Sequence, residues 1–314
     1  MNGALILAEI QEGQVLDVTA EMVSAAAAVG GPVTLGLAHP DPTSVAGTKI
    51  EGVDAIVAVT TPDDAYDHQI FDEALTAMIA EADPAAILIA FTTRNAAFGA
   101  ALATRLDLGF ASGIIGLRRE DDSLLAIRPM YGGKVHADLE FDPAAAAVLL
   151  VRGSVWAEAS ATTETCPIRL VPLSDPDTRI SHREFAPDEE TDIDLTKEDV
   201  IFTIGRGVGS AEKIEVFERL AERFGAALGS TRPLVDAGWL PTARQIGLSG
   251  VTVKPALYVA FGVSGALQHQ MGMIGAATII AVNTDADAPI FEIADYGSTA
   301  DMFEVAKHLE DLAG

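Results

Sequence analysis

Cys166 is the lone cysteine in 314 residues, so no internal disulfide can form, and neither a His nor a second Cys stands near it at metal-ligand spacing. This argues against a stapled secreted fold and against a zinc site, and fits a reducing cytoplasm. Long apolar runs are also missing. No stretch of about 18 apolar residues occurs, which excludes a membrane-spanning helix. The opening residues MNGALILAEIQEG lack a basic start and reach Glu9 and Glu12 before any apolar run of signal length. Basic residues are scarce, 20 against 46 acidic ones, for a formal net charge of -26. Such a field repels phosphate backbones and anionic membranes, which argues against nucleic acid as a partner. It suits a partner with a basic patch, and equally an acidic proteome or salt adaptation.

What is abundant is apolar side chain, 49% of the sequence, more than one compact core organises at this length, so two domains are expected. In the first half, residues 4–9, 33–37, 55–59 and 87–91 are short apolar runs bounded by Gly, Pro or acids, as buried strands are. Helical patterns over 19–29, with Thr19 as N-cap and Gly30-Gly31 as stop, and over 72–82, stopped by Asp83-Pro84, alternate with them. Strand-helix alternation implies a parallel sheet. After a helix over 96–106, strand-like pieces at 113–117, 124–127, 134–139 and 148–151 are separated by Asp121-Asp122 and Gly132-Gly133, and predict an antiparallel edge or meander on the same sheet. Residues 175–199, with Asp188, Glu189, Glu190, Asp192 and Asp194, predict a solvated acidic linker; the Gly and alternating ligands of a calcium loop are absent. The domains are expected at 1–190 and 196–314.

The second domain restarts the alternation, with strands at 200–204, 257–261 and 278–282 and helices over 211–224, 265–271 and 299–312. Three of its strands run into turns of small residues. Strand 200–204 enters Gly205-Arg206-Gly207-Val208-Gly209-Ser210, which can cradle a phosphate with Arg206 as charged arm. It is neither a Rossmann GxGxxG nor a Walker loop, and taken alone an ordinary glycine turn is the favoured reading. Strand 257–261 enters Gly262-Val263-Ser264-Gly265-Ala266-Leu267-Gln268-His269, whose polar groups need partners from a ligand or from the fold; His269 could be a core histidine. Strand 278–282 ends at Asn283, either in the ligand crevice of an open α/β sheet or in an Asx turn. Between them, Thr231-Arg232-Pro233 upstream of Trp239 suits an anionic or electron-rich ring, or is a surface arginine.

The order GRGVGS, STRPLVDAGWLP, IGLSG, KPALYVAFGVSGALQHQMGM, IIAVNTDADAPIFEIADYG and DMFE resembles the C-terminal FAD domain of electron transfer flavoprotein alpha subunits. RNAAFGAALATRL, IRPMYGGKV and LLVRGS resemble that family's first domain more loosely. The resemblance implies an α/β chain whose N-terminal nucleotide-binding-like domain packs on a beta subunit and whose C-terminal doubly wound domain holds FAD. Arg206, Thr231, Arg232, Ile246, Gly247, Leu248, Ser249, Ser264, Gly265, Ala266, Leu267, Gln268, His269, Asn283, Asp301 and Met302 would line that site. Arg232, His269 and Ser249 would serve the redox chemistry: Arg232 over the isoalloxazine, His269 as a donor near O2, Ser249 toward N5. Cation and donor would stabilise the negative charge of a reduced ring. Ser264 and Gln268 would serve the ribityl chain and pyrophosphate, Asn283 and Asp301 the adenosine end. Leu248 stands where the family commonly has Gln, which implies an altered potential with binding retained.

By the same resemblance the chain is an electron carrier with no organic substrate of its own. It would take electrons from acyl-CoA or related dehydrogenases, as in fatty acid oxidation, and pass them to a quinone oxidoreductase. The alternative is the FAD subunit of a bifurcating complex that oxidises NADH at a flavin on the partner chain.

Overall fold

The computed structural model describes residues 3–47, 49–63, 67–121, 123–133, 135–153, 155–174, 183 and 193–312. Of the residues singled out above, Asp122, Lys134, Ser154, Asp188, Glu189, Glu190 and Asp192 lie outside them. The chain forms two compact units, Met1–Glu184 and Phe185–Gly314.

In the first unit a seven-stranded sheet runs in the order Ile168–Val171, Ala55–Thr60, Val33–His39, Ala4–Leu7, Ala86–Ala90, Ala147–Val151, Gly109–Ile114. Every pairing is parallel. Its middle strands are apolar at every position because both faces are covered. On one face Ile6, Leu88 and Leu149 pack with Met22 and Val23 of the helix Asp17–Ala26. On the other Leu5, Ile87 and Val148 pack with Leu75 and Met78 of His68–Ala82 and with Phe98 and Leu102 of Thr93–Arg105. Thr19 does not cap the first helix. It lies inside it, and its hydroxyl accepts the Glu9 N–H at 3.0 Å, tying the helix to the end of the first strand.

The predicted meander divides between two sheets. Gly116–Glu120, Ser123–Met130 and Val135–Phe141 form a separate antiparallel sheet. Gly109–Ile114 and Ala147–Val151 instead pair parallel in the main sheet. Hydrophobicity alone could not separate them, since the break falls at one residue, Ile115. Burial of Glu9 raises its carboxyl above the usual range, against the pull of Arg94 and the Asn95 hydrogen bond.

The second unit is a five-stranded parallel sheet in the order Ala227–Ser230, Val200–Ile204, Leu257–Phe261, Ile279–Val282, Tyr296–Ser298. Phe202, Phe217 and Phe261 pack on one face with the helices Ile214–Phe224 and Met302–Leu312. Ile201, Tyr258, Ala260 and Ile246 pack on the other. The chain leaves Val200–Ile204 for one neighbour and returns on its other side as Leu257–Phe261. The strand order therefore reverses between these two, and a crevice opens at their carboxyl ends. Glycines let the two loops meet there. A Cβ on Gly205 would lie 2.3 Å from the Gly262 carbonyl oxygen, and one on Gly207 would lie 2.9 Å from Gly262 Cα. Gly262 itself has φ 61°, in the left-handed region.

These contacts are with backbone, which cannot rotate away. Gly205→Ala is expected to cost about 1–3 kcal/mol of stability by overpacking. Urea denaturation of the full chain measures it, and an unchanged midpoint would mean that the two loops part freely.

Candidate functional site

Above the strand ends of the second unit lies a cavity of about 790 Å³, within the range of roughly 300–1,000 Å³ typical of cofactor-sized pockets. Each strand end delivers part of its lining: Arg206 and Gly207 after Val200–Ile204, Thr231 and Arg232 after Ala227–Ser230, Ser264, Ala266, Gln268 and His269 after Leu257–Phe261, and Asn283 after Ile279–Val282. The loop residues Ile246, Gly247, Leu248 and Ser249 close one wall. Arg206, Arg232 and Asp285 are its charged side chains, so cations outnumber anions here in a chain whose formal charge is -26.

Much of the polar lining has no partner within the fold. Among the described residues the side chains of Arg206, Thr231, Ser264 and Gln268 make no hydrogen bond, and the N–H groups of residues 264–268 donate to no acceptor. Consecutive free N–H groups in a turn form an anion-binding concavity. Thr231 occupies the N-cap of Arg232–Asp236 without using its hydroxyl there, although its side chain is buried. Arg206, Ser264 and Gln268 are exposed in the open cavity, and this set suits the hydroxyls and phosphates of a dinucleotide.

Other lining residues are committed to the protein. Asn283 donates from Nδ2 to the Val263 carbonyl at 2.8 Å and accepts the Asp285 N–H at 3.0 Å. It thus forms the Asx turn and lines the cavity as well. Arg232 pairs through Nε with Asp236 Oδ2 at 3.2 Å, an exposed contact that holds its direction but adds little stability. Ser249 accepts the Gln245 amide N–H at 3.0 Å, which leaves its own O–H to donate.

His269 differs most from the sequence expectation of a hydrogen-bond donor to a bound ring. Only 7% of it is exposed. Nδ1 lies 2.9 Å from the Ile246 carbonyl oxygen and Nε2 lies 2.9 Å from the Tyr258 hydroxyl. A carbonyl only accepts, so the proton of the neutral ring sits on Nδ1, and no N–H remains for the cavity. Burial pushes the pKa down to about 4, opposed in part by the Ile246 carbonyl, so the ring is neutral at physiological pH.

Gly265, Leu267, Asp301 and Met302 stand outside the lining. Gly265, at φ 77°, lets residue 290 approach: a Cβ would lie 2.3 Å from the Ile290 nitrogen. Leu267 is exposed. Asp301 accepts the N–H groups of Phe303 and Glu304 and caps the last helix. Met302 is buried beneath Gly262, whose Cβ would meet its Sδ at 2.7 Å. The helix predicted over 265–271 is the single turn Leu267–Gln270, so free N–H groups rather than a long helix dipole face the cavity. Gly207, Pro233, Gln245, Gly262, Val263, Asp285, Ala288 and Pro289 also line it. Of these, Gln245 carried a usable signal, an amide four residues before Ser249.

Residues 194–274 match the family model described as the electron transfer flavoprotein FAD-binding domain, and residues 4–176 match the electron transfer flavoprotein domain. The electron transfer flavoprotein subunit alpha of Mycobacterium leprae (strain TN) is 36% identical over 315 residues, covering 99% of this chain and 98% of that one. That of Methylophilus methylotrophus is 33% identical over 317 residues, covering 99% and 98%. The chain belongs to the electron transfer flavoprotein alpha-subunit family. A rice subunit of that name, from Oryza sativa subsp. japonica, is 42% identical over 190 residues, 58% of this chain and 53% of its own. FAD is the cofactor of the C-terminal domain in this family, and the free polar lining of the cavity fits it. No helix among the described residues is long and apolar enough to cross a membrane.

The state of His269 sets a pH dependence. Its folded pKa of about 4 lies below the ordinary value of 6.5, so the unfolded chain binds the proton more readily. The stability this group contributes is complete above about pH 6.5 and is lost as pH falls through about 4. Between about pH 7.5 and 4.5 the wild type is expected to lose about 2–3 kcal/mol more than His269→Gln, measured by urea denaturation at each pH.

Proposed function

We propose that the chain holds FAD in the cavity of its C-terminal unit and works as a cytoplasmic electron carrier in a heterodimer with a beta subunit. It takes electrons from acyl-CoA or related dehydrogenases and passes them to a quinone oxidoreductase. The observation that carries this reading is the convergence of Arg206, Thr231, Arg232, Ser249, Ser264, Gln268, His269 and Asn283 on one cavity at the strand reversal. Bound FAD would supply reversible one-electron chemistry. The chain's own residues bind and orient it. The free N–H groups of residues 264–268, with Ser264, Gln268 and Arg206, suit the pyrophosphate and ribityl chain. Arg232 places a permanent cation on the wall, where negative charge on a reduced ring is stabilised. Ser249 accepts the Gln245 amide, and its free O–H would donate toward N5, while His269 forms a neutral wall. Asn283, which lines the cavity with Asp285, would serve the adenosine end.

A partner chain is also supported by features of the first unit. Met130, Tyr131 and Val135, around one hairpin turn, are exposed, Tyr131 by 80%. Nearby chemistry is basic: burial and the Arg128 charge both lower the Arg152 guanidinium, whose buried Nε has no hydrogen-bond partner among the described residues. An apolar tip and uncompensated arginines suit a second protein with acidic groups.

Co-purification with the beta subunit is expected to yield FAD at a 1:1 ratio to this chain and anaerobic reduction of the complex by a dehydrogenase with its acyl-CoA substrate. Absence of FAD, or no reduction by any dehydrogenase, overturns the reading; reduction by NADH alone supports the bifurcating alternative. Arg232→Ala is expected to weaken FAD binding at least tenfold, about 1.4 kcal/mol, measured by fluorescence titration of the FAD-free chain.

Leu248, 46% exposed on the cavity wall, offers no hydrogen bond to a ring. Leu248→Gln is expected to shift the one-electron potentials by about 30 mV or more, where a tenfold change in equilibrium is about 59 mV. Potentiometric titration that gives unchanged potentials counts against a role for this position.

A further inference from the structure

Behind the cavity wall, a residue of the apolar strand Leu257–Phe261 reaches the site without touching the cavity. Tyr258 is wholly buried, and burial holds its hydroxyl far above the ordinary phenol range. That hydroxyl lies 2.9 Å from His269 Nε2, while Nδ1 of the same ring lies 2.9 Å from the Ile246 carbonyl. The protons can be assigned along the whole chain. The carbonyl requires Nδ1–H, Nε2 is then a bare acceptor, and the Tyr258 O–H must be the donor. The Ile246 end belongs to the wall that continues through Gly247, Leu248 and Ser249. This wall is otherwise tied by Leu248 N–H to the Gln268 carbonyl at 2.7 Å and Gly247 N–H to the Val251 carbonyl at 3.1 Å. Gly247, at φ 145°, leaves no room for a side chain, since a Cβ would lie 2.9 Å from the Gln268 carbonyl oxygen.

We propose that Tyr258 is a positioning residue: its O–H anchors Nε2 of the His269 ring, so that the Nδ1–H fixed by the Ile246 carbonyl stays on that carbonyl and holds the Ile246–Ser249 wall in place for the ring end of the cofactor. The proposal rests on the FAD reading above for its ligand, but the tautomer does not depend on it. An imidazole free to rotate or exchange tautomers would release Ile246, and Ser249 would lose its fixed relation to Arg232 across the cavity. The charged side chains that line the cavity with His269 are Arg206, Arg232 and Asp285; behind the ring stands the uncharged Tyr258, itself beside the buried Thr203 hydroxyl. The ring is thus held by neutral hydrogen bonds on both sides, and its role is directional.

The test is long-range proton–nitrogen NMR of the full chain labelled with 15N-histidine, FAD-free and FAD-loaded, with FAD affinity by fluorescence titration. In the wild type His269 is expected to show a protonated Nδ1 and a bare Nε2, unchanged from about pH 5.5 to 8.5, where a free histidine titrates. In Tyr258→Phe the Nε2 signal is expected to move toward that of a bare nitrogen accepting no hydrogen bond, and FAD to bind about tenfold more weakly. A wild-type His269 that is protonated on Nε2, or that titrates near about 6.5, overturns the proposal whether or not the variant folds. So does a folded Tyr258→Phe chain with unchanged nitrogen shifts and FAD affinity. If the wild type binds no FAD, the functional reading fails, while the FAD-free spectra still decide the role of Tyr258.

Discussion

The approach of two backbones at the strand reversal is the constraint on which the site depends. Gly205 and Gly207 must pass within van der Waals contact of Gly262, because the strands they leave are hydrogen-bonded neighbours whose ends cannot separate. Side chains at these points would force the loops apart and split the crevice. With glycine there, the polar residues that follow, Arg206 on one loop and Ser264 to Gln268 on the other, face the same space. The register that buries Phe202 and Phe261 on one sheet face also sets these loops level at its edge. Packing of the unit and shape of the cavity are therefore one problem with one solution.

Within that frame the polar groups fall into two classes. Arg206, Thr231, Ser264, Gln268 and the amides after the third strand have no partners among the described residues, and a ligand would complete them. Asn283, Gln245, Tyr258 and His269 are already bonded to the protein, and they fix the walls on which the first class stands. His269 belongs with the walls because the interior disfavours its charge, as its pKa of about 4 records. The cavity's positive character then comes from Arg206 and Arg232, whose charge does not titrate in the physiological range. In a chain with a formal charge of -26, the cavity carries two arginines against one aspartate.

The strands of both units were legible because a parallel sheet covered on both faces needs apolar residues at every position, and runs such as ALIL and AILIA satisfy that on sight. Ala227–Ser230 was not, because its sequence ALGS offers no apolar run, and Gly229 is there to admit Ile246. The edge strand Ile168–Val171 was equally silent, since an exposed edge needs little burial. In the site, turn residues stood out by composition, yet composition could not say which way they face. Asp301 and Met302 share a segment with the family's motif but serve a helix cap and the core.

Tyr258 shows where the limit of sequence reading lies. Inside LYVAF it counts as one more large apolar residue, and its burial agrees with that. Its hydroxyl matters only because a strand residue facing the second core layer comes level with an imidazole eleven positions later, after the chain has turned through Gly262 and Gly265. No periodicity encodes that meeting; it follows from tertiary placement. His269 carries the same ambiguity from the other side. A core histidine and a cofactor-lining histidine are usually alternatives, but here the first is how the second is achieved: the ring is satisfied by the fold, and being satisfied, it holds the wall where a ligand can use it.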